Sequence, residues 1–161
     1  MHNALAMLES QGRLKALITQ NIDLLHQKAG SKHVIEVHGS PTVHRCLDCD
    51  RVFAFETMAR RIRSGDIPPL CSCGGFIKPD ITFFGEPLPE AAFLDARRHV
   101  MLADVLLVLG SSLSVYPAAS LPELCLQHSG KLVIVNDQPT RYDDRCTLRL
   151  WDLEEAFAPS G

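Results

Sequence analysis

Four of the six cysteines in this 161-residue chain lie in two close pairs between Cys46 and Cys73. Two residues separate Cys46 from Cys49, and one separates Cys71 from Cys73. Short pairs in a segment rich in proline and glycine favour one zinc ion bound by four thiolates over a disulfide framework. Four protein ligands leave no coordination position for water or substrate, so we expect a structural zinc. Two alternatives stay open: His44 in place of one cysteine, or buried thiols without a metal.

The cysteine pairs interrupt an alternation of helical and apolar segments. Helical periodicity covers residues 3–11, 90–103, 117–128 and 151–157. Short apolar runs, interpreted as buried parallel strands, cover residues 14–19, 104–109, 131–135 and 147–150. Strands alternating with helices predict an α/β fold with a parallel sheet. We expect this sheet to be formed by residues 1–40 and 80–161, with an inserted zinc-binding module at 41–79.

The charge of the chain gives no reason to expect a nucleic acid or an acidic membrane as a partner. The formal net charge is -3 and the pI is near 6.1, which creates no strong positive field. No apolar run approaches the roughly 20 residues of a membrane span, and no leader pattern precedes the first helix. We therefore expect a cytoplasmic protein whose cysteines are reduced.

Polar residues follow three of the apolar runs, at the points where the strands end. They are Gln20, Asn21 and Asp23, then Gly110, Ser111 and Ser112, and finally Asn136 and Asp137. Ligands of open α/β sheets bind outside the carboxyl ends of the strands, which makes these residues candidates for a site. Taken alone, they are equally typical of ordinary turns after strands.

Seven segments in this order resemble the motifs of the sirtuins, a family of NAD-dependent protein-lysine deacylases. They are TQNIDLLHQKAG at 19–30, EVHGS at 36–40, the two cysteine pairs, KPDITFFGE at 78–86, GSSL at 110–113 and VIVN at 133–136. One such motif would be weakly specific, but their joint order covers nearly the whole chain. The resemblance implies a Rossmann-like domain, a small zinc-binding domain, and a cleft between them for NAD and an acyl-lysine peptide.

The resemblance also implies roles for individual residues. His38 is the expected general base, because imidazole exchanges a proton near neutral pH. Residues expected to contact NAD are Gln20, Asn21, Ile22, Asp23, Gly110, Ser111, Ser112, Asn136, Asp137 and Cys146. Residues expected to contact the acyl-lysine peptide are Phe84, Gly85, Glu86 and Val115. The structural alternatives are a hydrogen-bonded histidine at position 38, core packing for one of Phe83 and Phe84, and an ordinary buried thiol at Cys146.

The glycine-rich loop with which sirtuins wrap the NAD pyrophosphate has no counterpart in this sequence. A phosphate-binding loop at a helix N-terminus supplies much of the affinity for a dinucleotide. We therefore expect the first βαβ unit to be absent, NAD-dependent activity of this chain alone to be weak or absent, and one sheet edge to be unpaired with exposed apolar surface.

The implied reaction is transfer of an acyl group from lysine to ADP-ribose with release of nicotinamide. Two alternatives stay open, a zinc-stabilised binding module without catalysis and a protein ADP-ribosyltransferase. The preferred acyl group, the protein substrates and the oligomeric state stay open as well.

Overall fold

The structure of the protein is a computed structural model that describes residues 1–158. The strands of these residues form three separate sheets. The helices are α1 (His2–Ser10), α2 (Leu25–Lys28), α3 (Phe55–Arg63), α4 (Glu90–Met101), α5 (Leu121–Gln127) and α6 (Leu153–Ala156). The strands are β1 (Leu17–Thr19), β2 (Val34–Glu36), β3 (Gly39–Cys46), β4 (Val52–Ala54), β5 (Ile77–Ile81), β6 (Val105–Leu109), β7 (Lys131–Val135) and β8 (Leu148–Leu150).

Two of the sheets are parallel, which confirms the predicted α/β architecture. One sheet pairs β1 with β2, and the other has the order β6-β7-β8. The described residues form the parallel part as two sheets, because the backbone of β1 pairs only with β2 and that of β6 only with β7. Within each sheet the carboxyl ends of the strands lie at one edge.

Strand β6 also differs from its prediction as a fully buried strand. Val105 is 52% exposed to solvent and Leu107 is 36% exposed. The physical reason is its position, because an edge strand has a neighbour on one side only and part of its surface stays uncovered.

The main apolar core joins the two parallel sheets through the helices that cover them. Ala96 and Val100, four residues apart on α4, are buried together with Cys125 of α5. Ile18 of β1 and Leu106 of β6 both pack against this cluster. Positions four apart on a helix face the same side, so α4 presents one apolar stripe to strands from both sheets.

The segment between the parallel parts forms its own antiparallel sheet, with the order β4-β3-β5. This sheet runs from Gly39 to Ile81, two residues beyond each of the expected boundaries at 41 and 79. A small separate core underlies it, in which Met58 of α3 packs with Ile77 and with buried cysteines. In the part of the chain that the structure describes, no helix is long and apolar enough to cross a membrane.

Candidate functional site

The four paired cysteines converge on one point beside the antiparallel sheet. The sulfur atoms of Cys46, Cys49, Cys71 and Cys73 all lie within 4.8 Å of one another. The Sγ atoms of Cys46 and Cys73 are 3.5 Å apart, and those of Cys49 and Cys71 are 3.7 Å apart. A tetrahedral zinc ion with Zn–S bonds of about 2.3 Å separates its sulfur ligands by about 3.8 Å. The arrangement therefore fits a structural zinc ion.

Both cysteine pairs are supported by tight turns. The Cys46 N–H donates to the carbonyl of Arg51, and the Cys71 N–H donates to the carbonyl of Gly75 at 2.8 Å. A Cβ atom at Gly75 would lie 2.8 Å from the Cys46 sulfur, so only glycine leaves the sulfur atoms room to converge. The one-residue gap between Cys71 and Cys73 is thus compatible with a four-sulfur site.

The thiols of this cluster shift one another's pKa values. A hydrogen bond from the Cys73 backbone N–H, helped by the neighbouring thiols, lowers the pKa of Cys71 to about 6. The Gly75 N–H acts to lower the pKa of Cys73, but the thiols of Cys49 and Cys46 outweigh it and raise that pKa to about 12. Four negative thiolates repel one another in so small a space, so a divalent cation is the natural partner for the fully ionised set.

His44 does not belong to the group of converging ligand atoms. It is buried, and its Nδ1 has no hydrogen-bond partner within residues 1–158. Burial lowers the pKa of His44, and its ring packs 6.1 Å from that of Phe55. Because four sulfur atoms already lie within 4.8 Å of one another and no His44 nitrogen is among the converging atoms, the alternative that replaced one cysteine by His44 is wrong.

His38 lies in the turn between β2 and β3, where the parallel and antiparallel parts of the chain meet. Its Nδ1 is 2.8 Å from the carbonyl oxygen of Gln20. A carbonyl can only accept a hydrogen bond, so Nδ1 carries the hydrogen and Nε2 keeps its lone pair in the neutral ring. The His38 carbonyl also accepts from the Thr82 N–H at 2.9 Å, which ties this turn to the end of β5.

The polar residues after β1 form a short exposed segment next to His38. The Asn21 N–H donates to Oγ1 of Thr19 at 3.1 Å, and Oδ1 of Asp23 accepts from the Leu25 N–H at 2.9 Å. Ile22 is 39% exposed although its side chain is apolar. The backbone is therefore held by local hydrogen bonds while the side chains of Asn21 and Ile22 face solvent.

The residues after β6 and β7 lie at a common edge because these strands are parallel neighbours. Gly110 adopts a left-handed conformation with φ +60°, and its N–H donates to the Val135 carbonyl at 2.8 Å. Oγ of Ser112 is 2.7 Å from Oγ of Ser114. Asn136 is buried and donates through Nδ2 to the Gln138 carbonyl at 2.8 Å. Asp137 is exposed beside it.

Cys146 is half-buried against the core formed around β7. Its thiol donates to the Asp143 carbonyl at 3.2 Å. Both the packing and this hydrogen bond agree with an ordinary structural cysteine, and they leave its expected contact with NAD as a prediction.

The loop that follows β5 is braced by an ion pair that sequence reasoning did not identify. Nζ of Lys78 lies 2.5 Å from Oε2 of Glu86, donates to the Ile81 carbonyl at 3.0 Å and sits 4.4 Å above the ring of Phe83. The same carboxylate oxygen accepts from the Phe83 N–H at 2.9 Å, and together these bonds lower the pKa of Glu86. The one available signal was a lysine eight residues before a glutamate, which is too common to be diagnostic.

The expectation that one of Phe83 and Phe84 packs in the core is wrong. Phe83 is 50% exposed, and the side chain of Phe84 is fully exposed. Val115 is also 47% exposed. The physical reason is the loop itself, which is held by the Lys78 to Glu86 pair at the surface and projects its aromatic rings away from the apolar clusters.

A cavity of about 780 Å³ lies between β2, the start of α4 and the junction of β3 with β5. Of the residues predicted from the sequence to form the site, Glu86 alone lines it. The cavity borders the turn of His38 through Gly39 and Thr82, whereas the predicted residues at the strand ends do not line it.

Comparison with known proteins gives a consistent result. The model of the Sir2 family matches residues 1–117. An NAD-dependent protein deacetylase of Thermotoga maritima is 47% identical over 148 residues, which are 92% of this chain and 60% of that protein. The NAD-dependent protein deacylase 2 of Archaeoglobus fulgidus is 44% identical over 88% of this chain and 56% of its own length.

Solved structures agree with these relatives. The structure of Sir2 with a p53 peptide and NAD+ has a TM-score of 0.87 and 47% identity, covering 94% of this chain and 63% of that one. A complex of Sir2 with 2'-O-acetyl-ADP-ribose and a deacetylated p53 peptide has a TM-score of 0.85 at 45% identity, covering 94% and 64%. The chain thus spans roughly three fifths of the length of the proteins it matches.

Proposed function

Because this chain belongs to the Sir2 family, we propose that it is part of an NAD-dependent protein-lysine deacylase. The reaction removes an acyl group from a lysine side chain and transfers it to ADP-ribose. The relatives that carry the name NAD-dependent protein deacetylase support the reaction class. The chain spans 56% of one of them and 60% of another, so the activity of the whole protein is inferred from its part.

The observation that carries the proposal is the hydrogen bond between His38 and Gln20. With Nδ1–H held by the Gln20 carbonyl at 2.8 Å, Nε2 is the ring atom that can take a proton. Histidine suits this task because imidazole changes protonation near neutral pH. We propose that Nε2 of His38 accepts the proton of a ribose hydroxyl, which makes that oxygen a better nucleophile toward the acyl carbon.

The residues at the strand ends have the donor and acceptor groups that a dinucleotide requires. Bound NAD would supply the ADP-ribose that receives the acyl group and would release nicotinamide. Exposed amide and carboxylate side chains can bind a carboxamide and ribose hydroxyls by directed hydrogen bonds. We assign the nicotinamide half to Gln20, Asn21, Ile22 and Asp23, and the rest of NAD to Gly110, Ser111, Ser112, Asn136, Asp137 and Cys146.

We assign the peptide to the surface formed by the exposed loops after β5 and β6. Phe84 and Val115 are exposed apolar side chains on these loops, Gly85 follows Phe84, and Glu86 holds its loop in shape through Lys78. An extended peptide that pairs through its backbone would gain affinity with little dependence on its sequence. We therefore expect broad tolerance of the residues that flank the acyl-lysine.

We assign residues 41–79 to the zinc-binding module and residues 1–40 and 80–161 to the NAD-binding part. Zinc bound by four thiolates would stabilise the fold and take no part in the reaction.

Reduced cysteines and a net charge of -3 support a cytoplasmic setting with protein substrates and no nucleic acid or membrane partner.

The test incubates the protein, in an amount equal to the substrate, with NAD and an acetyl-lysine peptide. The release of nicotinamide and the mass of the peptide are then measured. Because the activity of this chain alone is expected to be weak, we expect slow release of nicotinamide, up to one equivalent per chain, and a peptide lighter by one acetyl group. His38→Ala should lower the rate by about 10²- to 10⁴-fold, the usual contribution of general base catalysis. His128→Ala is the matched control, since His128 is exposed at the end of α5, and it should leave the rate unchanged.

Three outcomes would contradict the proposal. No nicotinamide release at high protein concentration would favour a binding module without catalysis. A mass gain on a peptide side chain would favour ADP-ribosyl transfer. Loss of zinc or of folding in His38→Ala would show that His38 is a structural histidine.

A further inference from the structure

A second cluster of metal-binding side chains lies on the outer face of α4, apart from the cysteines and from His38. It consists of His33, in the loop before β2, and of Asp95 and His99 on α4. One ligand atom from each of the three residues lies within 4.8 Å of the other two. His33 and Asp95 also line the rim of the 780 Å³ cavity.

The spacing of these atoms fits an ion better than it fits direct hydrogen bonds. Nε2 of His99 is 3.6 Å from Oδ1 of Asp95, and Nε2 of His33 is 3.8 Å from Oδ2 of the same carboxylate. Both distances exceed the range of a hydrogen bond. Two ligand atoms bound about 2.1 Å from a tetrahedral ion are about 3.4 Å apart. Both distances to the carboxylate are within a few tenths of an ångström of this value, and the two histidine ligand atoms lie within 4.8 Å of each other.

His33 is held in the orientation that a metal ligand needs. Its Nδ1 lies 3.0 Å from the carbonyl oxygen of Lys15, so Nδ1 carries the hydrogen and Nε2 keeps the lone pair that faces Asp95. Histidine ligands of metals commonly donate the other ring N–H to a carbonyl in this way. The backbone N–H groups of Lys32 and His33 both donate to the carboxylate of Glu9, at 2.9 and 2.7 Å.

Asp95 and His99 are four residues apart on α4 and so project from the same side of the helix. The rings of His33 and His99 meet edge to face with centroids 4.8 Å apart, which brings the third ligand to that side. His99 is the least exposed of the three side chains, at 29%. The backbone of α4 and the fixed loop thus determine the positions of all three ligands.

We propose that His33, Asp95 and His99 form a second zinc site, with one coordination position left for water or another ligand. Two imidazoles and a carboxylate suit zinc and the neighbouring first-row divalent metals, and suit calcium or magnesium poorly. The ion connects α4 to the loop before β2 and stabilises this corner of the parallel region. The proposal concerns a different set of residues from the cysteine site and does not depend on the deacylase reaction.

The test counts zinc ions in the intact chain, purified without a histidine tag and with the cysteine site filled. After dialysis against micromolar free zinc, elemental analysis should give two zinc ions per chain. His99→Ala and Asp95→Asn should each give one, whereas the control His128→Ala should give two. Added zinc should also raise the melting temperature by about 3–6 °C at tenfold the Kd, and this rise should be absent in His99→Ala.

Two results would overturn the proposal. One zinc ion per wild-type chain under these conditions would mean that the cluster is only a surface group of two histidines around a carboxylate. A second zinc ion that persists in both His99→Ala and Asp95→Asn would be adventitious and bound elsewhere. Neither result would bear on the deacylase assay, because that assay measures how the reaction rate depends on His38.

Discussion

At the scale of single residues, the position of His38 depends on the glycine that follows it. Gly39 has φ +77°, and a Cβ atom built there would lie 2.1 Å from the carbonyl oxygen of Asp80. Gly39 is paired with Ile81 across the antiparallel sheet, so neither backbone can move without breaking that pairing. The turn that carries the candidate base therefore requires a residue without a side chain.

We expect Gly39→Ala to lower the free energy of unfolding by about 3 kcal/mol or more, from backbone strain and overpacking together. Urea unfolding monitored by circular dichroism would measure it. Gly12→Ala is a matched control, because Gly12 has φ +70° with no atom within 4 Å of the added Cβ. Gly12→Ala should lower the free energy of unfolding by about 1 kcal/mol. Equal losses in the two variants would show that contact with Asp80 does not constrain this turn.

At the scale of elements, the connection between β7 and β8 is organised by the carboxylate of Asp143. It accepts hydrogen bonds from Oγ1 of Thr140 at 2.6 Å, the Thr140 N–H at 3.1 Å and Nε of Arg149 at 3.1 Å. Arg149 in turn donates to the Gln138 carbonyl at 2.8 Å. This network fixes the loop that begins with Asn136 and Asp137, two of the residues assigned to NAD.

The stability supplied by Asp143 should depend on pH in a defined direction. The side-chain hydrogen bond from Thr140, its backbone N–H and the Arg149 charge lower the pKa of Asp143 below the ordinary 3.8. A carboxyl whose pKa is lower in the folded state stabilises the fold above the unfolded pKa, and this contribution is lost as pH falls through the folded pKa. Asp143→Asn should therefore be less stable than wild type at pH 7 by about 1 kcal/mol. The difference should begin to shrink as the pH falls below 3.8 and should disappear only below the lower pKa of the folded state.

Thermal unfolding between pH 2 and pH 7 would measure this difference. Asp144→Asn is the control, since Asp144 is exposed and makes no side-chain hydrogen bond or ion pair among the described residues. It should track the wild type throughout. A difference between wild type and Asp143→Asn that stays constant over the whole range would exclude the charge of Asp143 as its cause.

At the scale of the whole molecule, the zinc-binding module and the parallel region have separate apolar cores. Cys46, Cys71, Met58 and Ile77 form the core of the module, while α4 and α5 cover the core of the parallel region. Two of the four cysteines are thus both proposed metal ligands and core residues. A core this small is not expected to hold its fold without the metal.

We expect a chelator to unfold the module while the parallel region stays folded. Hydrogen exchange would measure this: the amides of Cys46 and Cys71, which are hydrogen-bonded in the module, should lose protection, and those of β6 and β7 should keep it. Returning zinc should restore protection. Simultaneous loss of protection in both regions would mean that the two cores unfold as one cooperative unit.

Local patterns allowed much of this structure to be predicted from the sequence. The bounds of β7 match the apolar run at 131–135, and the helix predicted over 90–103 lies at Glu90–Met101. The convergence of four cysteines was predicted from their spacing alone. These features depend on residues that are near one another in the chain, or on one ion that demands a fixed set of ligands, so the pattern itself contains the information.

The remaining features depend on contacts that no local pattern encodes. The sequence singled out His38 through its EVHGS motif, but only the tertiary structure decided that it follows strand β2 and that its Nδ1 meets the Gln20 carbonyl. It likewise decided that the parallel strands form two sheets and that His33 meets Asp95 and His99. Spacing and periodicity act along the chain, whereas the pairing of strand edges and the approach of distant side chains follow from how the elements pack.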